Sequence, residues 1–216
     1  IEGMGIEGCY TGLAVLSALA LWPLLGLRPR PSVRRVDPAQ PSQWKLLGEG
    51  LRYVRHNQPI FGVLLVTVVI NFFSFSYVTL LPVFARDILN QGPIGLGLLA
   101  AANGVGRILG LFVINRIRDS VSSGRIFAGG AILQASTVAA FAASTSFPLS
   151  AALLVVSGMG QVCFGVMQTA IVLLSSSDEM RSRVMGTLVL AIGGGPPGKL
   201  YVGVLAEGFG APLAMG

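Results

Sequence analysis

Two short stretches of this sequence, and its lone histidine and two cysteines, hold residue types that can do chemistry, and each lacks something the chemistry requires. The run Gly193–Leu200 reads GGGPPGKL, which meets the Gly-x4-Gly-Lys spacing of a phosphate-binding loop through Gly193, Gly198 and Lys199. It places Leu200 where magnesium binding needs Ser or Thr, Pro196 and Pro197 remove two amide donors, and no strand precedes it. A broken helix is the better reading: Gly195, Pro196, Pro197 and Gly198 interrupt an apolar run and free backbone groups that neighbours or a water-filled cavity must satisfy. The run Gly104–Gly110, GVGRILG, is one residue too long for a dinucleotide fingerprint and reads as a helix-packing motif that carries Arg107. His56 is the only histidine, and Cys9 and Cys163 share no metal or redox spacing, so no cofactor or metal site is expected. The nine acidic residues all fall in loops or at the ends of apolar runs. An intramembrane enzyme would need paired aspartates, a His-Glu zinc motif or a Ser/His pair at depth, and none is present.

Composition sets what must position these residues. Of the 216 residues, 53% are hydrophobic and 11% charged, and the mean hydropathy is +0.74. A soluble domain of this length needs a more charged surface. Apolar runs of about twenty residues recur, each able to cross a hydrocarbon layer ~30 Å thick. Six are readable, Cys9–Leu27, Ile60–Phe84, Ile94–Ile114, Ile126–Thr145, Leu149–Leu174 and Val184–Leu205, and a seventh begins at Ala211 and is cut off. The expected fold is an all-α, polytopic membrane bundle whose surroundings are the lipid bilayer. The net charge of +6 lies in short segments between the runs, a membrane pattern rather than a nucleic-acid patch. Seven Lys and Arg fall in 28–59, three between Ile114 and Ile126, and two just before Val184. The opposite side has Arg86 alone, which makes the basic loops cytoplasmic.

The longest connection has two parts. RPRPSVRRVDPAQPS is proline-punctuated and reads as an extended linker, whereas QWKLLGEGLRYVRHN puts Leu47, Leu51 and Val54 on one helical face with Lys45, Arg52 and Arg55 elsewhere. This helix either lies on the membrane surface or is merely solvated. Arg107 is thirteen residues from Ile94, ~20 Å along a helix. Its helical neighbours are Ala100, Asn103, Gly104 and Gly110, a small and polar face. A lipid-facing arginine costs at least ~2.5 kcal/mol. Two readings stay open: Arg107 lines an interior cavity with Asn103, or it snorkels to the inner headgroups. Lys199 likewise either snorkels to the outer surface or lines the cavity.

Five segments carry a resemblance. GEGLRYVRHNQP entering a span, SYVTLLPVFARDIL leaving it, GLGLLAAANGVG, NRIRDSVSSGR between spans and DEMRSRVMG entering the sixth are similar to the bacterial exporter branch of the major facilitator superfamily that includes enterobactin exporters. The resemblance covers nearly the whole chain. It implies that 1–27 is the last helix of an N-terminal half, 28–58 a cytoplasmic linker with an amphipathic helix, and 59–216 a C-terminal bundle truncated before its last helix. It further implies a secondary transporter in the bacterial cytoplasmic (inner) membrane, exporting a small organic molecule, siderophore- or drug-like, in exchange for protons by alternating access. The carrier acid and the partner bundle then belong to the missing N-terminal half. Asp119, with Arg116 and Arg125 flanking it, matches the acid of a cytoplasmic loop that latches one conformation; ordinary flanking charge is the alternative. A non-transporting membrane receptor or scaffold is the competing class.

Overall fold

The computed structural model describes residues 11, 12, 14, 15, 17–19, 21, 43–193 and 195–209. Among them every regular element is a helix. The expected span Cys9–Leu27 lies largely outside them, its few described positions being helical; the proline-rich segment 28–42 and the run from Ala211 lie outside altogether. The chain divides into two compact units, Ile1–Pro41 and Ser42–Gly216, and only the second is described in detail.

Five stretches of that unit are long and apolar enough to cross a membrane: Gln58–Ile88, Pro93–Ile117, Ser123–Ala142, Phe147–Ser175 and Arg181–Leu205. They match the five corresponding apolar runs of the sequence, and all but the third, which stops at Ala142 where the run goes on to Thr145, cover them in full. Ahead of them the amphipathic segment forms α1, Gln43–His56. Only Asn57 separates α1 from the first span. The Asn57 side chain accepts from the Ile60 N–H at 3.4 Å and donates to the Ser175 carbonyl at 3.1 Å, so one residue starts the span and ties it to the end of the helix Phe147–Ser175.

The first span is the least regular. It runs as α2, Gln58–Val69, a π turn Ile70–Ser74, then α3, Tyr77–Val83, and a second π turn Phe84–Ile88. The first π turn is closed by the Phe75 N–H on the Ile70 carbonyl at 3.0 Å. Two side chains hold it from within: Asn71 donates to the Thr67 carbonyl at 2.9 Å and Ser76 to the Phe72 carbonyl at 2.6 Å. Such turns re-aim the side chains that follow them and recur at functional sites. Asn90, at φ 51°, makes the left-handed corner into the next span, a conformation asparagine tolerates.

The remaining spans are α4, Pro93–Ile117, α5, Ser123–Ala142, α6, Phe147–Ser175, and the pair α7, Arg181–Ile192, with α8, Gly195–Phe209. α6 is the centre of the bundle, with α4 and α5 packed along it. The α4–α6 crossing is a backbone contact: a Cβ at Gly106 would fall on the Val155 carbonyl, and one at Gly158 on the Asn103 carbonyl. Lipid supplies little hydrophobic drive between helices, so van der Waals contact at small residues holds such crossings.

Candidate functional site

The buried apolar residues fall into two clusters stacked along the spans. One, toward the basic end, includes Val63, Ile70, Ile114, Phe127, Phe164 and Val184; the other includes Tyr77, Leu81, Leu99, Phe141 and Leu154. On each of the first four spans buried polar residues separate the two. Ser74 lies between Ile70 and Tyr77 in the first span, Asn103 between Leu99 and Ile114 on α4, and Gln134 between Ala131 and Val138 on α5. Ser157 and Gln161 lie between Leu154 and Cys163 on α6. The bundle therefore has a polar layer partway along its spans, between two mainly apolar clusters whose own buried polar groups, such as Thr67 with Gln168 and Ser144 with Ser150, are hydrogen-bonded.

Only part of this layer is internally satisfied. Asn103 Nδ2 donates to the Leu154 carbonyl at 3.3 Å and to the Tyr77 hydroxyl at 3.4 Å. Ser74 Oγ, Ser157 Oγ, both amide atoms of Gln134 and Gln161 Oε1 have no hydrogen-bond partner among the described residues. A buried polar group left unpaired costs about 1–3 kcal/mol, so these groups need water or a polar ligand. The sequence reading missed Gln134, Gln161, Ser74, Ser157 and Tyr77. A glutamine within an apolar run of lipid-spanning length is the signal that would have found the first two.

Arg107 follows Asn103 by one turn of α4. It is exposed in this unit. Gly97, Ala100 and Ala101 are also exposed and Gly104 is half-buried, whereas Leu98, Val105, Leu109 and Phe112 form the bulky exposed side. α4 thus turns one face to α6 and leaves the rest exposed, and on the exposed part Arg107 sits with Gly97, Ala100 and Gly104 on its N-terminal side and with Ile108 and Leu111 beyond.

The other residues singled out in the sequence sit apart from this layer. At the basic end Asp119 lies 3.8 Å from its neighbour Arg118, while Arg116 and Arg125 are exposed and in no ion pair among the described residues. Gly193 ends α7, and α8 restarts at Gly195 with Pro196 and Pro197 in its first turn, where missing N–H groups cost little. Gly198 is pressed onto the Phe72 carbonyl, where a Cβ would also meet Ser76 Oγ at 2.7 Å. The interrupted helix therefore backs onto the π turn of the first span. Lys199 and His56 are exposed, Cys163 is buried, and Cys9 lies outside the described residues.

α1 is clamped to the start of α7. Gly50 meets the Arg183 carbonyl, Glu49 pairs with Arg183 at 2.5 Å, and the Tyr53 hydroxyl accepts from the Ser177 N–H at 3.3 Å. That bond favours the phenolate and draws the Tyr53 hydroxyl below the ordinary tyrosine range.

The chain matches no curated protein and no solved structure. The family model of transmembrane secretion effectors matches residues 8–216. With nearly the whole chain matched and five apolar spans in its fold, the chain belongs to the transmembrane secretion effector family, multi-pass membrane transporters of the major facilitator type.

Proposed function

We propose that the chain forms most of the C-terminal half of a proton-driven exporter of small organic molecules, siderophore- or drug-like, in the inner membrane of a bacterium. The observation that carries this reading is the polar layer partway along the spans. The unpaired amide of Gln134 and the unpaired Oε1 of Gln161 are costly in a bundle built only to be stable, and they suit a site that exchanges water for polar groups of a substrate. Arg107, one turn after Asn103 on α4, lines the cavity between the two halves and attracts an anionic group of the substrate or a carboxylate of the other half. The proton-carrying acid belongs, in this reading, to the N-terminal half. The loop holding Arg116, Asp119 and Arg125 latches one conformation, and the break at Gly195–Gly198 gives the last described span its freedom to bend. The similarity of five segments to enterobactin exporters supports export over uptake.

Inside-out vesicles carrying the full-length transporter test this. An acid interior should drive accumulation of at least one compound from a panel of siderophores and drugs, and Arg107→Ala should abolish or retune it. Accumulation no greater than in protein-free vesicles across the panel would overturn the proposal.

A further inference from the structure

Two contiguous grooves at the basic end of the bundle are unlike in chemistry. The first, of about 550 Å³, is apolar and runs between α1, α2 and α7, with Trp44, Leu47, Phe61, Leu65, Val68 and Leu190 among its walls. The second, of about 540 Å³, is lined by Arg52, Arg55 and His56. They meet at Gly48 and Leu51, which line both.

The charge in the second groove is not used internally. The nearby carboxylate, Glu49, is taken by Arg183 at 2.5 Å, and no ion pair among the described residues involves Arg52 or Arg55. Nor is the apolar side of α1 used up by packing. Val54 is buried against the bundle and Leu47 is half-buried, but Leu51 remains 56% exposed and Trp44 82% exposed. An occupant that matches both grooves is an amphiphile with an anionic head and a long apolar tail. In a protein that crosses a membrane, with these arginines where the chain enters its first span, such a molecule is supplied by the adjoining leaflet.

We propose that these grooves form a binding site for an anionic phospholipid, with acyl chain against Leu51, Phe61, Leu65 and Leu190 and headgroup phosphate on Arg52 and Arg55. The lipid would hold α1 against α2 and α7, so that the segment joining the halves is anchored by the leaflet as well as by Glu49–Arg183. Basic residues at a membrane surface each add about 1 kcal/mol toward anionic lipid, roughly fivefold in relative affinity at 298 K.

The chain has two tryptophans, Trp22 and Trp44. In the full-length transporter with every other tryptophan, Trp22 included, changed to Phe, Trp44 on the apolar groove wall is the sole reporter. In phosphatidylcholine vesicles, brominated phosphatidylglycerol should quench Trp44 at a lower mole fraction than brominated phosphatidylcholine, with a preference of at least about fivefold. Arg52→Gln with Arg55→Gln should reduce that preference to within about twofold. Gly48→Leu should do the same, because a Cβ at this position meets nothing within 4 Å and the new side chain starts in open space at the junction of the grooves. Millimolar inorganic phosphate should not compete. Equal quenching by the two lipids, an undiminished preference in either variant, competition by free phosphate, or a Trp44 that neither lipid quenches because protein covers the groove would each overturn the proposal.

Discussion

At the scale of single residues, the polar layer separates stability from function. Gln134 is fully buried and its amide is unpaired, so Gln134→Leu should leave the protein as stable or raise its stability by about 1–3 kcal/mol, read as a higher unfolding temperature in detergent. If the layer serves transport, the same variant should lose flux. A drop in stability with flux intact would mean that the amide is structural. Arg107→Ala should behave differently, with expression and insertion near normal and apparent affinity for an anionic substrate down about tenfold or more; Lys should rescue only in part because it lacks the planar fork. These two residues differ in how far the sequence disclosed them. Arg107 stands out because a charge inside an apolar run is conspicuous, and its neighbours on the helix are close in sequence. Gln134 is visible only as a glutamine in an apolar run, and its unpaired state depends on what α6 and the first span bring against it.

At the scale of elements, the bundle depends on backbone contacts at a few glycines. Gly158→Val would drive a side chain into the Asn103 carbonyl and to within 3.0 Å of the Arg107 backbone nitrogen, and neither can yield without moving α4. A loss of at least ~3 kcal/mol, or failure to yield folded protein, is expected by thermal unfolding. Gly129→Ala on exposed α5 surface meets nothing within 4 Å and should be neutral or stabilise by up to about 1 kcal/mol. Equal effects would show that the crossing is not a tight contact. The Glu49–Arg183 pair is about one-third exposed on each side, so Glu49→Gln should cost no more than about 1 kcal/mol. Span existence was legible because lipid demands about twenty apolar residues wherever a helix crosses. Span ends were less so: α5 starts at Ser123 and ends at Ala142, three residues before the apolar run at each end, because Ser123–Arg125 is polar yet helical and Ala143–Thr145 is apolar or small yet outside the helix. The π turns of the first span left no signature, for Ile70–Ser74 and Phe84–Ile88 carry no glycine or proline, and their hydrogen-bond shift is decided by packing.

At the scale of the whole molecule, the proposal requires the basic end to face the cytoplasm and the polar layer to be reachable from both sides in turn. In a full-length transporter without other cysteines, Ser122→Cys should resist impermeant thiol reagents in intact cells, whereas Gln91→Cys should label; Ser32→Cys, outside the described residues, should resist as well. Labelling at Ser122 would invert the orientation. The most direct measurement places the cysteine at position 107. Arg107→Cys should react with an impermeant reagent added to intact cells and also when added to inside-out vesicles, because a mid-membrane cavity that opens alternately admits water from each side. Reaction from neither side would put this residue in lipid, and reaction from one side only would make the layer a dead-end pocket; either result contradicts transport through it.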